Sequence, residues 1–215
     1  AYWGTDIGDL GFCSPESVRE GARGPYPPKV DGWGDLFILD RPNMRILRYT
    51  DSNAPQSIPI PPTYVLGDAC GDWGYAWPNL SISGDRLFIR LSKMHDGRFV
   101  DQLAILSLDG QEEKVIDLEA YYPLHSPYFN SLVADGGQGV YLLLPPAGIV
   151  HFDADLRPEF KYLGGVNASI YENMVVGWDG NLYTYNPVQD LLSNWGADSR
   201  YFMYGERLSS EEGIM

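Results

Sequence analysis

The sequence predicts an all-β chain assembled from copies of one hairpin-based unit. Three observations predict it. Helical periodicity is poor along the whole chain, with LEAYY and RLSSEEGIM as the only plausible short helical pieces. The stretch VDGWGDLFILDRPNMRILRYT, from Val30 to Thr50, reads as two apolar strands around an Asp-Arg-Pro-Asn corner. That reading recurs three more times, beginning at Trp77, Tyr128 and Ile170.

Each copy runs in the same order: a short apolar strand, a Gly/Asp turn, an alternating strand with an aromatic residue, a polar connection, and often a third strand ending in Asp. The turns GWGD, SGDR, DGGQG and WDGN place Gly, Asp and Asn where a tight hairpin needs a positive φ. No helix is expected after these glycines, so they read as hairpin turns and not as a phosphate cradle. The stretch HFDADLRPE holds Asp153 and Asp155 but lacks the glycine and distal glutamate of a calcium loop; it reads as another hairpin tip.

Aligning the copies on the aromatic of the second strand equates Phe37, Phe88, Tyr141 and Tyr183, at spacings of 51, 53 and 42 residues. A period near fifty suits a four-stranded blade of a β-propeller. The expected organisation is a single propeller domain or propeller fragment over residues 1–215, with blades at about 26–76, 77–127, 128–169 and 170–215. A closed small ring and a part of a larger propeller are both compatible with four such blades. The first 25 residues and the closing YFMYGERLSSEEGIM are the segments available for a further blade or a closing strand.

The first copy resembles an NHL-type repeat. Its usual form is a Val-Asp strand, a Gly-Asn turn, a Tyr-Val-x-Asp strand and then Asn-x-Arg-Ile; Asp31, Gly34, Phe37, Asp40, Asn43, Arg45 and Ile46 stand at those positions. The later copies keep the rhythm of strands and turns and resemble the wider six-bladed group that includes TolB-like, NHL, YWTD and lactonase-type propellers. For Asp40 and Arg45 the preferred role is structural, tying the corner by charge-assisted and side-chain-to-backbone bonds; ligand contact is the alternative.

Composition narrows the partners. Fifteen Lys and Arg stand against 29 Asp and Glu, for a formal charge of -14, a field that repels nucleic acid and anionic lipid surfaces. With 44% hydrophobic and 13% aromatic residues the chain has the material for a core. No apolar run approaches the length that spans a bilayer as a helix, so membrane insertion is not expected. The first residue is Ala, and AYWGTDIGDLGF lacks a signal-peptide pattern, which leaves a removed leader or a fragment as expectations.

Cys13 and Cys70 lie in similar Gly/Asp-rich stretches, GDLGFCSPES and GDACGDWGY, so a disulfide between them is expected ahead of two independent thiols. Such a bond stabilises by about 4 kcal/mol in the chain-entropy account. It implies a secreted or otherwise extracytoplasmic location, periplasm or cell surface. The Asn-x-Ser sequons at Asn79 and Asn167 are compatible with that location.

Binding surfaces of propellers lie at the channel mouth, formed by segments that lead from the outer strand of one blade to the first strand of the next. Those segments carry Tyr26, Trp73, Tyr75, Trp77, Tyr121, Tyr122, Tyr128, Phe129 and Tyr171. Such residues either stack on a glycan, bury a protein partner's apolar hot spot, or wedge between blades. The same segments end in Asn79, Asn130 and Asn173, with Glu172 beside the last and Pro28 as the rough counterpart in the first blade. Lactonase-type propellers hold a divalent cation with Asn, Asp and Glu oxygens at inner-strand starts, and WPN is similar to a segment of that group. The resemblance therefore implies Ca2+ or another divalent ion at these residues, polarising a carbonyl. Turn formation is the simpler role for each Asn. Of the three histidines only His125 lies in a channel-mouth segment, as a candidate base.

The expected function is a non-enzymatic binding or assembly module with protein or glycan contacts, or self-association, through the aromatic loops. No cofactor is expected under it. The alternative is a divalent-metal-dependent, lactonase-like hydrolase or lyase.

Overall fold

In the computed structural model the described residues are 10, 28–51, 54–60, 79–95, 98–121, 132–144, 148–161, 173–177, 179–186, 191–195 and 204–207. They form four antiparallel four-stranded sheets, each a meander in chain order. The first contains β1 (Lys29–Val30), β2 (Leu36–Asp40), β3 (Arg45–Tyr49) and β4 (Gln56–Pro59). The second contains β5 (Asn79–Ser83), β6 (Arg86–His95), β7 (Arg98–Ser107) and β8 (Glu112–Asp117). The third contains β9 (Leu132–Ala134), β10 (Val140–Leu144), β11 (Gly148–Phe152) and β12 (Pro158–Lys161). The fourth contains β13 (Asn173–Val176), β14 (Leu182–Asn186), β15 (Leu191–Trp195) and β16 (Tyr204–Arg207).

These are propeller blades, and each sheet falls inside one of the four segments expected from the repeat. The only described helical turns are two short 3-10 pieces, Arg41–Asn43 at the first corner and Leu118–Ala120 within the expected LEAYY segment. Tyr204–Arg207 supplies the fourth strand of the last sheet; residues 208–215, the rest of the other expected helical piece, lie outside the described residues. The chain divides into two compact units, Ala1–Ala120 and Tyr121–Met215, with two sheets in each.

The period-2 pattern explains the packing in the first unit. Phe37 and Leu39 of β2 alternate with half-buried Leu36 and Ile38, and they join Ile46, Ile58, Leu87 and Ile89 in one buried cluster between the two sheets. Phe88, between Leu87 and Ile89, is equally buried, so β6 carries a continuous apolar run instead of an alternation. In the second unit Tyr141, Leu143 and Ile149 pack with Met174 and Leu182 across its two sheets. First strands lie side by side within each unit, β1 against β5 and β9 against β13.

The corner between β2 and β3 is built as its residues suggest. Asp40 and Arg45 are cross-strand partners, and the Arg45 Nε donates to Asp40 Oδ2 at 2.9 Å with both side chains buried. Asn43 Nδ2 donates to the same oxygen at 2.9 Å. A second buried pair, Arg90 with Asp101, stands in the second sheet: Arg90 Nε lies 3.0 and 3.1 Å from the two carboxylate oxygens, and Nη2 adds a further bond. Each of the four expected first-hairpin turns contains a glycine with positive φ, at Gly34, Gly84, Gly136 and Gly180. The HFDADLRPE stretch is the hairpin tip between β11 and β12, closed by Asp153 N–H on the Arg157 carbonyl at 3.1 Å.

Two predictions follow from this packing. Gly34 and Gly110 have φ of +92° and +88°, which costs a side chain about 1–2 kcal/mol at either site. Only at Gly110 would a new Cβ meet Ile58 Cγ2, at 2.6 Å, adding about 1–3 kcal/mol of overpacking. Urea titrations of Gly34→Ala and Gly110→Ala should therefore show the larger loss at Gly110; equal losses would contradict the contact between the β7–β8 turn and β4. For the buried pair, Asp101→Asn leaves the Arg90 charge uncompensated and is expected to cost about 3–5 kcal/mol, whereas the double change Arg90→Met with Asp101→Leu should cost much less. A double variant as unstable as the single one would show that the pair is not the relevant unit.

Candidate functional site

Of the sequence-predicted residues, Asn79, Tyr121 and Asn173 are described, and the antiparallel meander places Asn79 and Asn173 at the end of their sheets where β5 and β13 begin. Asn79 is the first residue of β5 and is half-buried, opposite Arg90 in the register. Asn173 is the first residue of β13, opposite Tyr185. Both stand two residues before the partner of the aromatic anchor, since Phe88 pairs with Ser81 and Tyr183 with Val175. In the third sheet Tyr141 pairs with Val133, and the same count reaches Ser131, so Asn130 is displaced by one residue from the position that Asn79 and Asn173 share. The count in the first sheet, from Lys29, reaches Pro27.

Tyr121 is half-buried and meets Phe152 edge-on, with ring centroids 5.7 Å apart. This one aromatic of the predicted rim therefore packs on its own unit. Tyr26, Trp73, Tyr75, Trp77, Tyr122, His125, Tyr128, Phe129, Asn130, Tyr171 and Glu172 lie outside the described residues, as do Cys13 and Cys70. Among the described residues, no group of three or more His, Cys, Asp and Glu is placed to hold a metal ion.

At the same end, the β6–β7 hairpin differs from its counterparts. Each of its strands has ten residues, against five in β2, β3, β10 and β11. β5 registers only with Arg86–Arg90, and β8 only with Gln102–Leu106. Among the described residues the outer halves pair only with each other, as a two-stranded ribbon with the buried Arg90–Asp101 pair at its base. The ribbon falls in a stretch that, in sequence, reads simply as a polar connection. The available signal was Asp96-Gly97 between two alternating runs, a strong short-range hairpin pattern.

The opposite end is organised by aspartates. Asp135 Oδ1 accepts the N–H groups of Gly137 and Gly139 at 2.7 and 2.8 Å, and its Oδ2 lies 2.8 Å from His151 Nε2. His151 stacks on Tyr141 with centroids 4.3 Å apart. In the first sheet Asp31 Oδ1 captures Trp33 and Asp35 N–H in the same spacing, both at 2.9 Å. There the third strand carries Arg48 over the Phe37 ring, and Arg48 bonds Asp35 instead, leaving the buried Asp31 Oδ2 without a partner. In the fourth, Asp179 accepts from Asn181 N–H and from the Tyr183 hydroxyl, at 3.0 and 2.8 Å. The Asn181 N–H bond, followed by that hydroxyl, holds the Asp179 carboxyl below the usual carboxylate range, while accepting Asp179 pushes the Tyr183 phenol up.

No protein-family model and no curated protein matches the chain. Solved structures do. A catalytically inactive virginiamycin B lyase from Staphylococcus aureus with quinupristin is similar at 11% identity and TM-score 0.54, over 87% of this chain and 59% of that one. A chain of the mitotic checkpoint complex is similar at 11% identity and TM-score 0.55, over 96% of this chain and 56% of that one. A luciferin-regenerating enzyme is similar at 15% identity and TM-score 0.50, over 87% and 61%. The chain thus spans less than two thirds of the length of each. At these identities the likeness is one of fold, and the fold is of the β-propeller type, as the repeat spacing and the resemblance of the first copy lead one to expect.

The aspartate-built turn generates a pH prediction. Burial acts to raise the Asp135 carboxyl, but the bond from His151 and the two N–H bonds outweigh it and hold the group below the usual carboxylate range. A depressed folded-state value contributes stability that is complete above the unfolded value, about 4, and is lost as pH falls through the lower folded value. Asp135→Asn is expected to melt below the wild type at about pH 6, with the gap closing toward about pH 2. A gap that stays constant across the acid limb would rule out the carboxylate's charge as its source.

Proposed function

We propose that this protein is a non-enzymatic, extracytoplasmic binding module that holds a protein partner through the aromatic connections leading into its first strands. One observation carries the reading: the connections that lead into first strands are loaded with aromatic residues. Trp73, Tyr75 and Trp77 precede β5; Tyr122, Tyr128 and Phe129 precede β9; Tyr171 precedes β13. Such residues dominate the energetics of protein interfaces because they bring large contact area at low rotamer cost. The likeness to a chain of the mitotic checkpoint complex supports a propeller working within a protein assembly. The Cys13–Cys70 disulfide expected from the sequence would accord with an extracytoplasmic site, and the acidic charge argues against nucleic acid. A glycan stacked on the same aromatic rim, and self-association, are the other partner classes compatible with it.

A second reading, a divalent-metal-dependent hydrolase or lyase, is favoured by the shared inner-strand position of Asn79 and Asn173. Oxygen donors of this kind fit a hard cation such as Ca2+, with Glu172 and Asn130 as further candidates and His125 as base. The ion would supply Lewis-acid polarisation of a carbonyl.

Thermal melts with Ca2+, Mg2+ and Zn2+, alongside a non-reducing intact mass, separate the two. The binding module is expected to show no stoichiometric stabilisation and a mass lowered by the two hydrogens of one disulfide. A rise of roughly 5 °C or more with one ion, abolished by Asn79→Ala or Asn173→Ala, would overturn the first reading in favour of the second.

A further inference from the structure

Trp33 stands in the β1–β2 turn with its side chain 69% exposed, the largest hydrophobic residue that the described part of the chain leaves in solvent. The fold needs no side chain at this position. Trp33 N–H donates to Asp31 Oδ1 at 2.9 Å, and in the third sheet Gly137, at the same offset, makes the same bond to Asp135 Oδ1 at 2.7 Å. Asp35 N–H on the same Asp31 oxygen, Gly34 N–H on the Asp31 carbonyl and Asp31 N–H on the Asp35 carbonyl, at 2.9, 3.3 and 3.1 Å, complete the turn. The backbone under the indole is thus fixed while the indole itself is spare: among the described residues it meets no second ring and no cation.

Glycine on either side of Trp33 keeps flanking side chains off the ring. Gly34 is required by its φ of +92°, but Gly32 has no such constraint, and a Cβ built there would meet nothing within 4 Å. The charges at this end of the sheet are acidic. Asp31 and Asp35 belong to the turn and exposed Asp51 follows β3, against one base, Arg48, which Asp35 holds at 2.6 Å. Asp31 accepts backbone N–H groups through Oδ1, and its Oδ2 has no partner, so no base of the chain compensates it. With a formal charge of -14 overall, the chain attracts a cationic partner and repels a second copy of itself. The same sheet already shows the chemistry in question, since Arg48 lies over the Phe37 ring, 5.5 Å from its centroid, while bonded to Asp35.

We propose that the Trp33 turn docks a basic segment of a partner protein, with an arginine side chain laid across the indole. A guanidinium is planar, always charged and weakly hydrated, so it stacks on an aromatic face better than a compact lysine ammonium does. Asp31 favours that cation through its field; its free oxygen is buried and is not a point of contact. A neutral glycan ring can also stack on an indole, but it gains nothing from the carboxylates around this one. The contact is additional to the aromatic connections that lead into the first strands, and it stands or falls without them.

The test is fluorescence anisotropy of the full chain with a labelled Gly-Ser peptide of about twelve residues that carries several arginines, and with the same peptide carrying citrulline or glutamate instead. The arginine peptide should bind about tenfold more tightly than the citrulline peptide, and the glutamate peptide should not bind. Trp33→Ala should weaken the arginine peptide by about fivefold, with Trp33→Phe keeping part of the affinity. Trp33→Ala retains the capping N–H, so its circular dichroism and melting curve should be those of the wild type; a destabilised variant would show that the indole packs into the fold and would overturn the proposal. Equal binding by wild type and Trp33→Ala would reduce the interaction to diffuse charge and overturn it, as would no binding at all. Loss of binding in Trp73→Ala with Trp77→Ala but not in Trp33→Ala would also overturn it, while supporting the aromatic connections as the partner site. Binding of cellotetraose in place of the arginine peptide, lost in Trp33→Ala, would assign the turn to a glycan; a dimer in sedimentation, dispersed by Trp33→Ala, would assign it to a second copy of the chain. Either result overturns the proposal.

Discussion

A carboxylate that captures two backbone N–H groups at the first hairpin turn sets the geometry on which each unit depends. Asp31 does this for Trp33 and Asp35, and Asp135 does it for Gly137 and Gly139, at the same two- and four-residue offsets. The turn fixes which residue of the second strand faces which of the first. A slip of one residue would exchange every inward side chain for its neighbour, sending Phe37 and Leu39 outward and Leu36 and Ile38 into the core. Once the register is set, the aromatic anchor and the Arg or His opposite it stack as a pair: Arg48 over Phe37, His151 on Tyr141. The two turns distribute charge differently because position four of the turn is Asp35 in one and Gly139 in the other. Arg48 reaches Asp35, whereas His151 reaches the capping carboxylate itself. A Cβ at Gly139 would come within 2.3 Å of Asp135 Oδ2, so the second arrangement excludes any side chain at that position.

Much of this architecture was legible because it depends on local chemistry. Positive φ at Gly34, Gly84, Gly136 and Gly180 follows from tight turns that other residues tolerate poorly. The Asp40–Arg45 tie follows from two residues that must be cross-strand neighbours if the corner between them is short. What escaped the sequence is cross-strand information over longer separation. Arg90 and Asp101 lie eleven residues apart, and nothing in either's neighbourhood announces that both are buried together. Their partnership exists because β6 and β7 are long enough to bring them across a shared ladder.

The candidate site was legible in type and less so in placement. Reading back from the anchors, Asn79, Asn130 and Asn173 appear as one recurrent amide. The second sheet joins its first two strands by a turn one residue tighter, pairing Phe88 with Ser81, seven positions away, where the other sheets pair across eight. Counting from the anchor alone absorbs that difference, while counting from the anchor's partner exposes it. Asn79 and Asn173 then share a position, and the third sheet offers Ser131 there. Since adjacent positions of a strand face opposite sides, one residue decides whether a side chain belongs to a recurrent set.

The buried Arg90–Asp101 pair is best understood through its location. Desolvating two charges offsets most of their attraction, so an apolar pair of the same size would hold the blade about as well. An apolar pair, however, tolerates sliding and rotation, whereas a guanidinium meeting a carboxylate through several directed bonds accepts one orientation. At the base of a ribbon that its own blade ceases to support, orientation is the property at a premium. Clamped at Arg90 and Asp101, the β6–β7 ladder keeps one register past the point where β5 and β8 register with it among the described residues. The pair's contribution thus lies less in the stability of the fold than in the orientation of the two long strands that continue beyond it.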